Sequence, residues 1–257
     1  MLHPPSCVPA LALQRLFFFP QGAVANEEIV LRWIHFVSGI MWIGLLYFFN
    51  LIAVPLAKEL DPPLRLKLYP ALMSRAMWWF RWSSVITVLV GLRYFILILQ
   101  ADASREARSG MAWRWLGYWF IVWIVAYAFL YPLQMPMKGL LDKGWVRAIP
   151  IAVVVIAASW VVLRLNVTPN VSNMHLAISV GGGLGLLMLL NVWGVVWRAQ
   201  KRLIQWMRIS AESGAPLPPE AARLARWSFV ASRTAFWLSL PMLFLMGAAE
   251  HYPFLGG

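Results

Sequence analysis

Residues 171–197 read VSNMHLAISVGGGLGLLMLLNVWGVVW, a run without Asp, Glu, Lys or Arg. A helix needs about 20 mostly apolar residues to cross the hydrocarbon core of a bilayer, and this run suffices. Working outward from it, five more stretches meet the same test: Ile29–Ala57, Ser83–Gln100, Met111–Leu133, Val146–Leu165 and Ser228–Gly247. Composition agrees, because 61% of the 257 residues are hydrophobic and only 12% are charged. A soluble domain carries about 45–50% apolar and about 25% charged residues. An ordinary soluble enzyme, a disordered chain and a disulfide scaffold are therefore excluded. The single Cys7 also excludes an internal disulfide and a thiolate-based zinc site. The expected fold is all-α, a polytopic integral membrane helix bundle with about six transmembrane helices.

Residues 29–257 read as a single transmembrane domain preceded by a lead-in, residues 1–28. Ala23-Val24-Ala25 has the look of a signal-peptide cleavage site, but the start lacks a basic region. An uncleaved interfacial segment is the expectation. The first span is long and is expected to tilt or bend near Pro55. Leu64–Trp82 mixes bases with aromatics and reads as an interfacial helix leading into the second span. The loop around residues 212–227 is the one sizeable hydrophilic segment and divides no domains.

The formal net charge is +12. On a soluble protein that excess would suggest nucleic acid. Here the bases sit in short loops between apolar segments, where they orient helices in the bilayer, so no nucleic-acid partner is expected. The odd-numbered loops and adjoining span ends carry fifteen Lys and Arg, the opposite side seven. That asymmetry places the odd loops in the cytoplasm and both termini outside, in the periplasm of a bacterium. The expected location is thus the bacterial inner membrane. Many of the sixteen Trp fall at span ends, as an interfacial belt requires.

On this topology His35, His175 and His251 come from three helices to the outer third of the bilayer. His35 lies roughly 9 Å below the start of its span and His175 roughly 6 Å, at 1.5 Å per residue. His251 lies just past the outer end of the last span. Titratable groups within a bilayer are costly and mark a functional site by default. Ser179, Gly182 and Gly183 share a helix face with His175, and Ser38 and Gly39 flank His35. Small residues beside an imidazole leave a flat slot against the backbone, which suits a porphyrin. Arg93 and Arg32 near the same rim suit haem propionates, since guanidinium grips carboxylates bidentately.

Plainer readings stand beside these. Small residues in membrane helices also permit close helix packing. A membrane His can simply hydrogen-bond a neighbouring helix, His251 can be a surface residue, and Arg93 can snorkel or pair with Asp102 or Glu106. Other chemistries have less support. There is no P-loop and no Rossmann glycine pattern. The spans as read hold no carboxylate for a zinc or di-iron site or for ion-coupled transport. Haem b needs only axial ligands and an apolar slot.

Four stretches carry a family resemblance. LRWIHFVSGIMWIGLLYFF (31–49) and RAMWWFRWSSVITVLVG (75–91) resemble the first two helices of the membrane domain at the N-terminus of cytochrome-c-linked bacterial urate oxidases. NMHLAISVGGGLGLLMLLNVWGVVWRAQKRLI (173–204) resembles the penultimate helix of that domain, and LSLPMLFLMGAAEHYPF (238–254) its closing segment. More distantly, the helix bearing His35 and Trp42 is similar to HemJ-type protoporphyrinogen oxidases and CopD-like membrane proteins. In the former a first-helix His ligates haem b, a role the resemblance carries to His35. Two departures stand out. Thr234-Ala235-Phe236-Trp237 replaces a His-Asn-Asn-Tyr run, and Glu250 replaces Asn before His251-Tyr252-Pro253.

In full-length relatives a cytochrome c domain follows, whereas this sequence has no Cys-x-x-Cys-His. The expectation is a haem b electron-transfer subunit of a redox complex, working with a separate cytochrome c or other redox subunit. His35 and His175 would be the iron's axial ligands and His251 an alternative. A urate- or other purine-oxidising enzyme coupled to cytochrome c, an oxidoreductase, is the second reading. A cofactor-free structural subunit is the third.

Overall fold

The computed structural model describes residues 22–255 apart from Ser109 and Lys138, so most of the 1–28 lead-in, with Cys7, lies outside the described residues. Six helices are each long and apolar enough to cross a membrane: α1 (Ala23–Glu59), α2 (Pro62–Arg105), α3 (Met111–Leu133), α4 (Gly144–Asn166), α5 (Asn173–Ser213) and α6 (Glu220–His251). No strand occurs among the described residues. The chain is an all-helical, multi-pass membrane protein.

α5 is the central helix. It packs against α2, α3, α4 and α6, while α1 lies along α2 and touches α6. Of the most apolar window of α5, 78% is buried within the protein, against 17% for α4 and 28% for α1. The lipid-facing sides are correspondingly apolar. Ile149, Val153, Ile156 and Trp160 form an exposed stripe along α4, and Ile29, Trp33, Phe36 and Ile40 another along α1. These spacings put each set on one helix face.

Small residues let the neighbours of α5 approach. Gly183 lies under the Trp123 indole, and any Cβ there would overlap the ring. Trp119 and Trp123 both donate their indole N–H to the Ser179 carbonyl, at 2.8 and 3.1 Å. A buried indole N–H needs such a partner where no water can supply one. Gly181 meets Leu245 and Met246 of α6 on another side.

α2, α5 and α6 are each longer than a bilayer crossing needs, and their extensions meet at one end. α2 has 44 residues, about 66 Å of rise against a hydrocarbon core of about 30 Å. The expected interfacial helix at Leu64–Trp82 is the first half of this single helix. It leaves the bilayer plane by packing on the amphipathic second half of α5. Arg208 of α5 donates to Ser74 of α2 at 2.6 Å, and Gln200 donates to Ser228 of α6 at 3.0 Å. This end, where α1, α3 and α5 finish, carries the larger share of the bases and is called the basic end below.

Two helices widen locally into π turns, at Phe48–Ala53 and Val192–Val196. The first precedes Pro55, whose ring clashes with an ordinary α turn behind it. The wide turn absorbs that clash, so α1 continues past the position where a bend was expected. Asn50 within it donates to Ser232 Oγ at 2.9 Å, tying α1 to α6. Gly214, in the left-handed conformation, ends α5.

Packing of Gly183 on Trp123 gives a direct test. Gly183→Ala is expected to lower stability by about 1–3 kcal/mol through overpacking. Gly117→Ala, where no atom lies within 4 Å of the new Cβ, is expected to be neutral or slightly stabilising. Thermal unfolding of the detergent-purified proteins checks both.

Candidate functional site

The three histidines lie toward the end opposite the basic one, and their surroundings differ. His175 is fully buried, at 0% exposure. It stands in the first turn of α5, where the Ser172 hydroxyl accepts its backbone N–H at 3.2 Å as the helix N-cap. Its ring Nδ1 is 3.1 Å from Asp102 Oδ2 and its Nε2 3.2 Å from Asn166 Oδ1. Asn166 donates its amide NH2 to the Val162 carbonyl at 2.6 Å, which turns its oxygen toward the imidazole. Both ring nitrogens are therefore engaged by side-chain oxygens within the protein. Trp115 and Phe95 pack edge-on around it, with ring centroids at 4.8 and 5.9 Å.

Asp102 is the centre of this cluster and is itself 0% exposed. Its Oδ2 accepts the backbone N–H and the hydroxyl of Ser172, each at 2.9 Å. Its Oδ1 is 3.0 Å from Arg105. A carboxylate here also lies against the positive end of the α5 dipole. Asp102 belongs to the last turn of α2, just beyond the span end expected at Gln100. The carboxylate that the spans seemed to lack is therefore present beside His175.

His35 is partly buried on the α2-facing stripe of α1. Its Nδ1 donates to the Thr87 carbonyl at 2.9 Å. That bond fixes the tautomer and leaves Nε2 with a lone pair. The ring occupies the space over Gly91, where a Cβ would come within 2.7 Å of it. A ligating histidine is held in this way, one nitrogen on a backbone carbonyl and the other free for a metal.

The structure does not bring His35 and His175 together. Their anchoring points on α2, Thr87 and Asp102, are fifteen residues apart, or roughly 22 Å of helix rise. A haem iron gripped from both sides needs its two imidazoles a porphyrin thickness apart. Counting depth from span ends put the two at one level; α1 begins at Ala23, six residues before the expected start, and α5 at Asn173, two after it, which leaves His35 deeper than His175.

His251 is the last residue of α6 and is exposed. Its neighbour Glu250 is ion-paired with Arg32, one turn from His35 along α1. The end of α6 is therefore delivered to the side of α1 on which His35 sits. Arg93 pairs with Glu27 of α1, at 2.6 and 2.9 Å, and not with Asp102 or Glu106. A Cβ added at Gly39 would lie 3.7 Å from Thr87, and one at Gly182 3.6 Å from Trp119. The face that Ser179, Gly182 and Gly183 form on α5 is covered by the Trp119 and Trp123 indoles.

Asn173 was not singled out in the sequence. It donates to the Ala249 carbonyl at 2.8 Å and accepts the backbone N–H of Phe254 and Leu255 at 3.1 and 2.9 Å. It thereby holds the segment after His251 against α5. A polar residue immediately after an N-cap serine was the only signal available. No group of three or more His, Cys, Asp and Glu suited to a metal ion occurs among the described residues.

The profile of the urate oxidase N-terminal family matches residues 62–257, well over half of the chain. No curated protein and no solved structure matches the sequence.

Removing one partner of a buried hydrogen-bonded pair leaves the other short of a partner, at about 1–3 kcal/mol. Asp102→Asn and His175→Leu are each expected to destabilise on that scale. The double variant is expected to lose clearly less than the sum, because the two changes remove one shared interaction. Chemical or thermal unfolding of the four proteins completes the cycle.

Proposed function

The chain belongs to the urate oxidase N-terminal family, and we propose that it is a haem b electron-transfer subunit of a membrane redox complex in the bacterial inner membrane. The observation that carries this is His35. Its Nδ1 is committed to Thr87, its ring is accommodated by Gly91, and its Nε2 is left available at the outer half of the bundle. The donor set suits a haem iron better than zinc, since no cluster of carboxylates joins it.

In this reading His35 Nε2 would be the principal group holding the haem iron. His251, brought toward α1 by the Arg32–Glu250 pair, is the second candidate. His175 takes no part in ligation, because both of its nitrogens are engaged. Arg32 and Arg93 are side-chain exposed by 38% and 44% in their present ion pairs. Half-exposed pairs contribute little, about 0–1 kcal/mol. A propionate can therefore replace Glu27 on the Arg93 guanidinium at small cost, while Arg32 keeps Glu250 and with it the end of α6. A bound haem b would supply one-electron chemistry, which requires no proton-transfer groups of the protein's own.

The positive-inside asymmetry supports placing this end at the periplasm. A separate cytochrome c, or another redox subunit, is the matching partner there. Whether urate is the reductant is tested by the same preparation, as urate-dependent reduction of added cytochrome c.

The decisive experiment is a reduced-minus-oxidised visible spectrum with a pyridine haemochrome assay on the purified chain. A b-type signal of about one haem per chain is expected. His35→Ala is expected to purify folded and without it, and His251→Ala to shift the spectrum. Asn166→Asp, which keeps an acceptor beside His175, should retain the haem. A colourless wild type from haem-replete cells, or full haem in His35→Ala, overturns the assignment.

A further inference from the structure

The second concentration of chemistry lies at the basic end, where α3 and α5 part. A cleft of about 740 Å³ opens there, walled by Tyr127 of α3 and by Trp193, Trp197, Arg198, Lys201 and Arg202 of α5. The π turn at Val192–Val196 forms part of the wall. Widened turns of this kind are frequent at functional sites. At its start the Leu190 carbonyl accepts the Tyr127 hydroxyl at 3.0 Å, which pins the two helices across the floor.

Charge and polarity in the cleft point to one class of ligand. Arg198, Lys201 and Arg202 fall on one face of α5, at spacings of three and four residues. None of the three has a carboxylate partner among the described residues, and no acidic residue lines the cleft. By contrast, Arg32, Arg93, Arg105 and Arg226 are all ion-paired. The indole N–H of Trp193 has no acceptor among the described residues either. Behind the wall Arg81 of α2 stacks on Trp197 at 4.0 Å and on Trp193 at 5.4 Å, so both indoles are held in place from the rear.

We infer that this cleft binds the phosphate-bearing headgroup of an anionic phospholipid in the leaflet at the basic end. Its aromatic and apolar depth, formed by Tyr127, Leu190 and Trp193, lies within the membrane-crossing parts of α3 and α5. Its cations lie one to three turns further out. That order, apolar inside and basic outside, matches the glycerol region and headgroup of a lipid. A soluble anion would use only the rim. Basic pockets between transmembrane helices at this level are suited to anionic headgroups, each base adding attraction that falls off within a Debye length.

The test is a lipid titration of the delipidated, detergent-purified full chain, read as a shift in melting midpoint. Phosphatidylglycerol and cardiolipin are expected to raise the midpoint at concentrations where phosphatidylcholine and inorganic phosphate do not. In Arg198→Gln/Lys201→Gln/Arg202→Gln the apparent affinity should weaken roughly tenfold or more. Lys58→Gln/Lys67→Gln, at the same end but outside the cleft, should respond as the wild type does. Native mass spectrometry of the wild type, which needs no variant, should show anionic lipid retained on the chain. Equal effects of phosphatidylcholine, an unchanged response in the triple variant, or failure to retain anionic lipid would each overturn the proposal. Stabilisation by inorganic phosphate alone would reassign the cleft to a soluble phosphate compound and overturn the lipid.

Discussion

Everything in this fold depends on the burial of α5. Lipid tails offer helices no hydrophobic reason to associate, so contact must come from close packing and internal hydrogen bonds. Glycines on α5 make the packing close, with the Trp123 indole set where a side chain at Gly183 would stand. The two indole donations to the Ser179 carbonyl then make that contact polar as well as tight. α4, with little of its surface buried, packs on α3 and α5 and is the lipid-facing margin of the same arrangement.

The polar anchors sit at the two ends of this central helix. At its start Asp102 collects Ser172 and His175 while Asn173 collects the tail of α6, so α2, α5 and α6 meet on adjacent side chains. Away from that end, Asn50 reaches Ser232 from the π turn of α1. Inside a bilayer an unsatisfied polar group has no water to fall back on. These few bonds therefore constrain where each helix stops and how it is rotated, which dispersion contacts alone would leave loose.

Much of this was legible in the sequence. The six spans and their order follow from apolar run length, and Met111–Leu133 has the same bounds in the structure. Helix continuations into water were not legible, because Leu64–Trp82 lacks the uniform apolarity of a span and its partner on α5 is remote in sequence. The candidate site was half legible. The cost of titratable groups in a bilayer singled out His35 and His175, both of which the structure holds by hydrogen bonds to α2. Their partners could not be read, since Thr87 acts through a backbone carbonyl and Asp102 lies fifteen residues further along the same helix. A small-residue face looks the same whether it faces a flat cofactor or an indole, and the tryptophans that cover it come from α3.

The same arithmetic explains why the two buried histidines part ways chemically. Each is anchored on α2, but one to a carbonyl and the other to a carboxylate. A backbone carbonyl takes a single N–H and leaves the second nitrogen basic. A carboxylate on one side and an amide oxygen on the other engage both nitrogens of the second ring and leave neither for a ligand. His35, at the junction of α1 and α2, thus keeps one ring nitrogen without a hydrogen-bond partner. Structural electrostatics belongs to His175, at the start of the helix on which the bundle is built.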